Sequence, residues 1–340
     1  MGNSQFVDTN FDPLLQALFG ERAAHSEGKL DSLKAALSKQ KDITSFENVA
    51  IFTAGSYARR EASKYSDIDL FFISNKEKSF YQDEYNVPII RLMSSVVKIG
   101  DDLGFPKFSN DGQFLKLIHL TDILEHLGGS YDDYHNFFTT RLLLILESEP
   151  LYNLTVYENA MTEIISAYFR DYPGHTDDFR PNFLINDIVR FWKTLCLNYE
   201  NKRNQPADNV DRKLKQKIKN FKLKFSRMMT CYASISYLCA IDTPISEDQV
   251  HEMVKLTPSN RFRMLPELCD VPQSVINSTL AKYHWFLGVT NVSEESLFEF
   301  FSEDNNRIEA FKKANEFSDT LFEIMSIIDK KRDIFRYLVV

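Results

Sequence analysis

Two acidic residues one position apart could hold a metal ion. Asp67 and Asp69 flank Ile68, and an apolar stretch typical of a buried strand follows them. Because side chains alternate along a strand, we expect the two carboxylates to share one face, about 7 Å apart. Two such negative charges repel each other unless a cation lies between them, and carboxylate oxygens suit Mg²⁺, which also binds phosphates.

A glycine–serine pair precedes these acids and could hold phosphate. Gly55 and Ser56 end an apolar run, and ten residues separate Ser56 from Asp67. Glycine permits close approach of the backbone to a ligand, and a serine hydroxyl can donate to a phosphate oxygen. A short helix predicted over 57–63 would add free N–H groups. These features predict attack of a hydroxyl on the α-phosphorus of an NTP, assisted by two metal ions, with release of pyrophosphate.

Strands and short helices must position these groups. A short apolar run rich in β-forming residues predicts a buried strand at 49–54, and a second strand is predicted at 67–73. A third strand is predicted at 113–120, where polar residues interrupt the apolar ones. Apolar residues spaced three and four apart predict helices at 11–20, 29–39, 88–100 and 121–127. Gly20 and Gly28 are the expected ends of the first two helices.

The pattern becomes helical after Gly129. Helical spacing recurs over 134–148, 155–170, 183–200, 211–240, 272–286 and 306–338. We therefore predict an α+β fold. A small mixed sheet with flanking helices would occupy residues 1–129, and an all-α domain would occupy 130–340.

The run from Gly55 to Leu70 resembles a known superfamily. Gly-Ser, a spacer and Asp-Ile-Asp form the signature of the DNA-polymerase-β-like nucleotidyltransferases. Gly-Ser-x-Ala-Arg-x-Glu followed by Ser-Asp-Ile-Asp-Leu is most similar to the PII-protein uridylyltransferases and the nucleotidyltransferase-like proteins grouped with them. The resemblance covers 49–73 firmly and 88–129 more faintly, and it implies that 1–129 is the catalytic domain.

The resemblance also implies roles for particular residues. Gly55 and Ser56 would hold the phosphates of the NTP substrate. Asp67 and Asp69 would bind Mg²⁺ and take part in catalysis, with Mn²⁺ as the alternative ion.

The third carboxylate of the family is harder to place. It normally lies on a neighbouring strand, but the predicted strand 113–120 contains no acid. Asp111, just before it, is our prediction, and Asp122, just after it, is the alternative. His119 could replace an acid, although a lone histidine on a strand is more often structural.

Arg59 and Glu61 match positions that recur in the motif. Arg59 either contacts phosphate or anchors the predicted motif helix by pairing with a nearby acid, and the sequence leaves both interpretations open. For Glu61 the structural interpretation is preferred.

A cationic stretch lies in the second half of the chain. Residues 202–227 contain ten lysines and arginines against two aspartates. This stretch is either a solvated helix face or a contact for the triphosphate, for RNA or for an anionic protein acceptor. We predict that Lys222 contacts phosphate, together with Lys193, which shares a helix face with Arg190.

The composition narrows the class of protein. The net charge of −8 does not indicate nucleic-acid binding by the chain as a whole. Four cysteines without metal-ligand spacing are typical of reduced thiols, so we expect a cytoplasmic protein. No basic start precedes an apolar run and no apolar stretch reaches about 18 residues, so neither a secretory signal nor a membrane span is expected.

The leading prediction is a Mg²⁺-dependent nucleotidyltransferase that moves a nucleoside monophosphate from an NTP to a hydroxyl acceptor. A protein side chain is the first expectation for the acceptor, and an RNA end, a small molecule or a second nucleotide is the alternative. A nucleotide second-messenger synthase or a transfer-RNA-modifying enzyme of a toxin or defence system is a competing function. A catalytically degenerate protein that binds nucleotide and a partner is another. The base of the NTP and the oligomeric state are left open.

Overall fold

The computed structural model describes residues 13–76, 87–106, 112, 115–204 and 210–336. The contacts within it divide the chain into two compact units. The sheet unit comprises Ala23–Phe191 and Asp242–Pro258. The helical unit comprises Met1–Arg22, Trp192–Ile241 and Ser259–Val340. The predicted domain boundary near residue 129 stays a prediction.

The described elements are mainly helices, with one small sheet. The strands are β1 (Val49–Ala54), β2 (Asp69–Ser74), β3 (Leu117–His119) and β4 (Ser148–Tyr152). The α-helices are α1 (Pro13–Leu37), α2 (Lys41–Thr44), α3 (Val87–Asp102), α4 (Leu120–Glu125), α5 (Ser130–Tyr134), α6 (Phe137–Leu146), α7 (Leu154–Ala167), α8 (Asn182–Arg203), α9 (Val210–Lys222), α10 (Met228–Ala240), α11 (Glu247–Lys255), α12 (Pro258–Cys269), α13 (Gln273–Val289), α14 (Glu294–Ser302) and α15 (Asp304–Arg332). A 3₁₀ turn spans Tyr172–Gly174, and a π-helical segment spans Leu223–Arg227. The predicted α+β class is confirmed.

The sheet is mixed, with the strand order β3-β2-β1-β4. β1 pairs antiparallel with both β2 and β4, whereas β2 pairs parallel with β3. All six residues of β1 are buried. This central strand is covered on both faces, which explains why it reads as a continuous apolar run rather than an alternating one.

Each face of β1 packs against different helices. Ile51 belongs to a cluster with Leu33 of α1 and Leu92 of α3. On the other face, the Phe52 ring stacks on Phe71 of β2 at 5.2 Å between centroids and meets the Tyr157 ring of α7 edge-on at 6.0 Å. The strand end that carries Gly55 is therefore held by a core on both sides.

The two helices predicted at 11–20 and 29–39 form one helix, α1, so the predicted stops are wrong. Gly20 and Gly28 lie inside α1, and open space surrounds the position of a Cβ at each. A glycine within a helix costs about 1 kcal/mol relative to alanine. Burial of leucines such as Leu33, which is 1% exposed, offsets this cost because it gives the helix a packed face.

Strand β4 was not predicted, and the predicted helix 134–148 ends earlier, at Leu146 in α6. β4 pairs with β1 through Ser148 opposite Ala54, with a register shift farther along. It is an edge strand and contains Pro150, whose missing N–H is tolerated at a sheet edge. Its polar sequence gave no apolar signal for a strand.

The helical unit has an aromatic core. The Phe225 ring stacks on Phe286 of α13 and Phe317 of α15, with centroids 4.8 Å and 5.0 Å away. Phe221 of α9 lies 5.1 Å from Phe301 of α14. These contacts pack the cationic stretch, which contains Phe221 and Phe225, against α13, α14 and α15.

Two predictions from composition bear on thiols and membranes. The four cysteines are free thiols, and Cys231, Cys239 and Cys269 are buried. Among the helices of the described ranges, none combines the length and apolar character needed to cross a bilayer. The cytoplasmic location stays a prediction.

Candidate active site

Gly55 lies directly against the carboxylate of Asp69. β1 ends at Ala54, which pairs with Asp69 at the start of β2, and the Thr53 hydroxyl donates to the Asp69 carbonyl oxygen at 2.9 Å. Gly55 follows with a φ of +77°, where glycine is favoured. A Cβ built on Gly55 would lie only 3.3 Å from Asp69 Oδ2. The Gly-Ser pair and the acid therefore meet at one end of the sheet.

A single helical turn follows Gly55. Arg60 has a φ of +62°, its N–H donates to the Tyr57 carbonyl at 3.0 Å, and the Glu61 N–H donates to the Ser56 carbonyl at 2.8 Å. These two bonds around a left-handed residue form a Schellman motif, which ends a helix. The helix predicted over 57–63 is therefore wrong, because the chain reverses after one turn.

Buried ion pairs fix this turn to β4. Arg59 Nε lies 2.7 Å from Glu61 Oε2, and Arg59 Nη1 lies 2.6 Å from Glu147 Oε2. The three side chains are 5%, 1% and 0% exposed. Glu147 directly precedes Ser148, the β4 residue that pairs with Ala54. These ion pairs are the contacts expected if Arg59 anchors the loop. Contact of Arg59 with phosphate stays a prediction.

A second pair of contacts reinforces the same connection. Arg60 Nη2 lies 3.1 Å from Glu149 Oε2, and Lys34 Nζ of α1 lies 2.7 Å from Glu149 Oε1. Sequence reasoning missed Glu147 and Glu149. They lie about ninety residues from the loop, and only the unpredicted pairing of β4 with β1 brings them there.

The two aspartates face solvent beside a buried strand. Asp67 is exposed and Asp69 is half-buried, whereas Ile68 and Leu70 are 1% and 2% exposed. This alternation is the predicted pattern, although β2 begins only at Asp69. Burial, with a smaller contribution from the Asp67 charge, raises the pKa of Tyr57 to about 12. Asp67 thus lies close enough to the one-turn loop for its charge to contribute to the raised pKa of Tyr57.

The donor set fits Mg²⁺ in part. Magnesium commonly binds one or two carboxylates and completes its shell with water and substrate phosphates, which matches Asp67 and Asp69. Gly55 leaves the space beside Asp69 Oδ2 that a side chain would fill. Within the described ranges, no group of three or more His, Cys, Asp or Glu side chains could hold a metal ion.

The third carboxylate is not located. The described pairing of β2 with β3 runs from Phe72 opposite Leu117 to Ser74 opposite His119, and it includes no acid. Asp111 also lies outside the described residues, and its role stays a prediction. The alternative, Asp122, is buried in α4.

His119 has a structural contact. Its Nδ1 lies 3.0 Å from the Lys76 carbonyl oxygen, and the residue is 6% exposed. This backbone contact favours the structural interpretation of His119 over replacement of an acid.

Lys193 and Lys222 belong to the helical unit, in α8 and α9. Both are exposed. Their predicted contact with phosphate is not tested by their positions and stays a prediction. Trp192, next to Lys193, is 7% exposed and meets the Tyr232 ring edge-on, as expected of a packing residue.

One comparison with known proteins bears on this site. Residues 33–132 match a family model described as a nucleotidyltransferase domain. The matched segment contains the Gly-Ser pair and both aspartates and supports the resemblance to the DNA-polymerase-β-like superfamily. Such a domain supports transfer of a nucleoside monophosphate in general. The closer likeness to the PII-protein uridylyltransferases stays a prediction.

The segment that matches ends before β4, so Glu147 and Glu149 lie outside it. Neither a search of curated proteins nor one of solved structures finds a match for the chain. The roles of the β4 glutamates therefore rest on the geometry alone.

Proposed function

We propose that this protein is a Mg²⁺-dependent nucleotidyltransferase that transfers a nucleoside monophosphate from an NTP to a hydroxyl acceptor. The acceptor oxygen attacks the α-phosphorus, the bond to the β-phosphate oxygen breaks, and pyrophosphate leaves. The proton of the acceptor passes to a base, for which Asp111 is the candidate. The coarser part of this proposal, a nucleotidyltransferase domain, comes from the family match at 33–132.

The position of Gly55 against Asp69 is the observation that carries the proposal. A ligand phosphate can approach the glycine backbone, and the space of the missing Cβ opens onto Asp69 Oδ2 at 3.3 Å. Ser56, which is half-buried, would add a hydroxyl donor to the phosphate. Phosphate and metal ligand would thus be adjacent, as transfer from a metal-bound triphosphate requires.

Asp67 and Asp69 would hold Mg²⁺, which neutralises the charge that develops on the phosphates. The protein's own contribution is to hold these carboxylates in place. The ion pairs of Arg59 with Glu61 and Glu147 tie the loop to the sheet beneath them. Rigid support of this kind matters because a misplacement of about 1 Å in an active site can lower the rate by roughly 10²-fold.

A transfer assay tests the proposal. The protein is incubated with Mg²⁺ and NTPs labelled on the α-phosphate, with protein, RNA and small hydroxyl compounds as acceptors. We expect label to move to one of these acceptors, and we expect Asp67→Asn with Asp69→Asn to lower the rate by about 10³-fold or more, since loss of one charge-stabilising group alone costs about 10²–10³-fold.

A matched control changes the charge by the same amount elsewhere. Asp177 and Asp178 are adjacent and exposed in the sheet unit, and Asp177→Asn with Asp178→Asn should leave the rate unchanged. Transfer that survives in the Asp67 and Asp69 double variant would overturn the assignment. Nucleotide binding without transfer to any acceptor would favour the degenerate binding protein instead.

A further inference from the structure

Helix α9 concentrates positive charge in an acidic chain. Its 13 residues contain six cations and one acid, whereas the chain as a whole has a net charge of −8. The cations are all exposed, and they are Arg212, Lys213, Lys215, Lys217, Lys219 and Lys222. The opposite side of the helix is apolar and buried, so the cationic face is directed to solvent.

The charges on α9 repel one another. Lys213 and Lys217 are four residues apart, as are Lys215 and Lys219, and like charges at this spacing destabilise a helix. Lys215 has a partner, because its Nζ lies 3.5 Å from Glu294 Oε1. A solvated face serving solubility would be expected to mix both signs, and a face of one sign is relieved by a bound polyanion.

A groove of about 610 Å³ lies between α9 and α15. Lys217 and Lys312 line it, together with Phe311 and Ile308. Phe311 is half-buried and held edge-on against Phe301 at 6.4 Å, while Ile308 is 66% exposed. The groove thus combines cations with an apolar surface that includes an aromatic ring.

Two acids also line the groove, Glu316 and Asp319. Lys313 Nζ lies 3.2 Å from Glu316 Oε2, so this acid is neutralised by a neighbour. In the part of the chain that the structure describes, no ion pair engages Lys217 or Lys312. Lys217 and Lys312 then stand against the single negative charge of Asp319, so the balance of charge available to a ligand is positive.

The helix geometry brings another cation to the same ring. α9 continues into the π-helical segment Leu223–Arg227, and such segments are frequent at functional sites. Lys224 within it lies 6.0 Å from the centroid of the Phe311 ring, and its Nζ lies 3.2 Å from Oδ1 of Asn315, which also lines the groove.

We infer that the cationic face of α9 and the α9–α15 groove bind a single-stranded nucleic acid. The lysine ammonium groups contact the phosphates, and bases stack on Phe311 and pack against Ile308. Binding of the strand is independent of the proposed transfer reaction.

The apolar part of the groove favours a nucleic acid over an acidic protein. Single-strand binding sites combine a cationic track with aromatic rings because every base has a π-face that can stack. A peptide made of acidic residues alone, such as polyglutamate, would use the cations and leave Phe311 and Ile308 without a matching partner. The two ligands therefore differ in their dependence on the ring.

Fluorescence anisotropy with a labelled oligoribonucleotide of mixed sequence tests the inference. The strand should exceed the roughly 4–16 nucleotides that such a site covers. We expect binding that weakens with salt, and we expect Lys213→Ala, Lys217→Ala and Lys219→Ala together to reduce the slope of log affinity against log salt by about 2, since each phosphate contact contributes roughly 0.7. Phe311→Leu should lower affinity between about 5-fold and 150-fold.

The control removes three exposed lysines of the sheet unit, Lys39, Lys41 and Lys98, by the same change to alanine. This variant should keep the wild-type slope. Replacement of the three α9 lysines by arginine should also keep it, which separates loss of charge from misfolding. A DNA strand of the same sequence shows whether the 2′-hydroxyl contributes.

Three results would overturn the inference. The first is that neither the RNA strand nor the DNA strand binds. The second is that the control variant loses as much of the slope of log affinity against log salt as the α9 variant does. The third is that polyglutamate displaces the strand at equal charge concentration. The Asp67→Asn and Asp69→Asn variant should bind the strand as the wild type does while it fails to transfer label. Failure of the binding inference and failure of the proposed function are thereby distinguished.

Discussion

The acidic pair beside Gly55 and the cationic face of α9 both concentrate charge of one sign, but they do so on different supports. Asp69 begins a strand whose next residue is 2% exposed, and its short side chain has little freedom. The α9 cations sit on long side chains of an exposed helix face. The first arrangement holds carboxylate oxygens at set positions, and the second distributes positive charge along a helix face.

The difference teaches what each region can recognise. A small ion and a triphosphate need oxygens at set positions, which the buried ion pairs of Arg59 help to maintain. An extended polyanion of variable conformation needs positive charge over a length of chain, for which lysines on an exposed helix face suffice. Changes that displace atoms should therefore harm the acidic site. Among changes to α9 itself, only those that remove charge should weaken binding, because the stacking contribution comes from Phe311 of α15.

The largest effect is expected from the buried support of the acidic site. Arg59→Met leaves Glu61 and Glu147 buried without their cation, and such a loss destabilises a protein by about 3–5 kcal/mol. Urea unfolding measures the change in free energy. A loss under about 1 kcal/mol would show that the ion pairs do not anchor the loop and would favour the phosphate interpretation of Arg59.

A matched variant separates lost charge from lost packing. Glu61→Gln and Glu147→Gln, added to Arg59→Met, remove the two acidic charges as well. We expect this triple variant to recover part of the stability, because no uncompensated charge remains buried.

The next effect tests whether the position of a carboxylate matters. Asp69→Glu keeps the charge but moves the oxygens by about one bond length. We expect kcat/KM for transfer to fall by about 10²-fold, as a displacement near 1 Å does in an active site. Circular dichroism should show an unchanged fold, and nearly full activity would contradict a fixed geometry.

A smaller effect is expected from the glycine itself. Gly55→Ala places a Cβ 3.3 Å from Asp69 Oδ2 at a φ of +77°. The left-handed conformation should cost about 1–2 kcal/mol of unfolding free energy. Gly28→Ala is the control, because it lies within α1 with open space around its Cβ and should stabilise the protein by about 0.5–1 kcal/mol.

The smallest effect is expected on α9. Lys213→Arg, Lys217→Arg and Lys219→Arg conserve charge while they change shape. The affinity for a single-stranded oligonucleotide should stay within about twofold, because the phosphate contacts depend on charge. A loss above tenfold would mean that α9 also fixes positions, and the contrast with the acidic site would fail.

The sequence predicted the parts of the fold that depend on local pattern. β1 lies at 49–54 as predicted, because a strand buried on both faces is apolar throughout. The long helices of the second half were also predicted in outline. The fold of the one-turn loop was not, since a left-handed Arg60 held by Glu149 has no local signature.

The parts that depend on distant pairing were missed. Ser148-Glu-Pro-Leu-Tyr becomes a strand only because β1 offers it an edge, and Glu147 reaches Arg59 across 88 residues of sequence. The aspartates and the glycine of the candidate site could be singled out because they lie within one short segment, 55–69, whose residue types and spacing indicate the chemistry. Their supports could not, because those contacts arise only in the folded chain.

Thermal unfolding with and without Mg²⁺ and NTP tests the central claim most directly. The claim is that Asp67 and Asp69 are held together to bind a metal-bearing triphosphate. An NTP with Mg²⁺ at about 100 times its dissociation constant should raise the Tm of the wild type by roughly 5 °C. The Asp67→Asn and Asp69→Asn variant should unfold at or above the wild-type Tm without ligand and show no rise with it. An equal rise in both proteins would contradict the account.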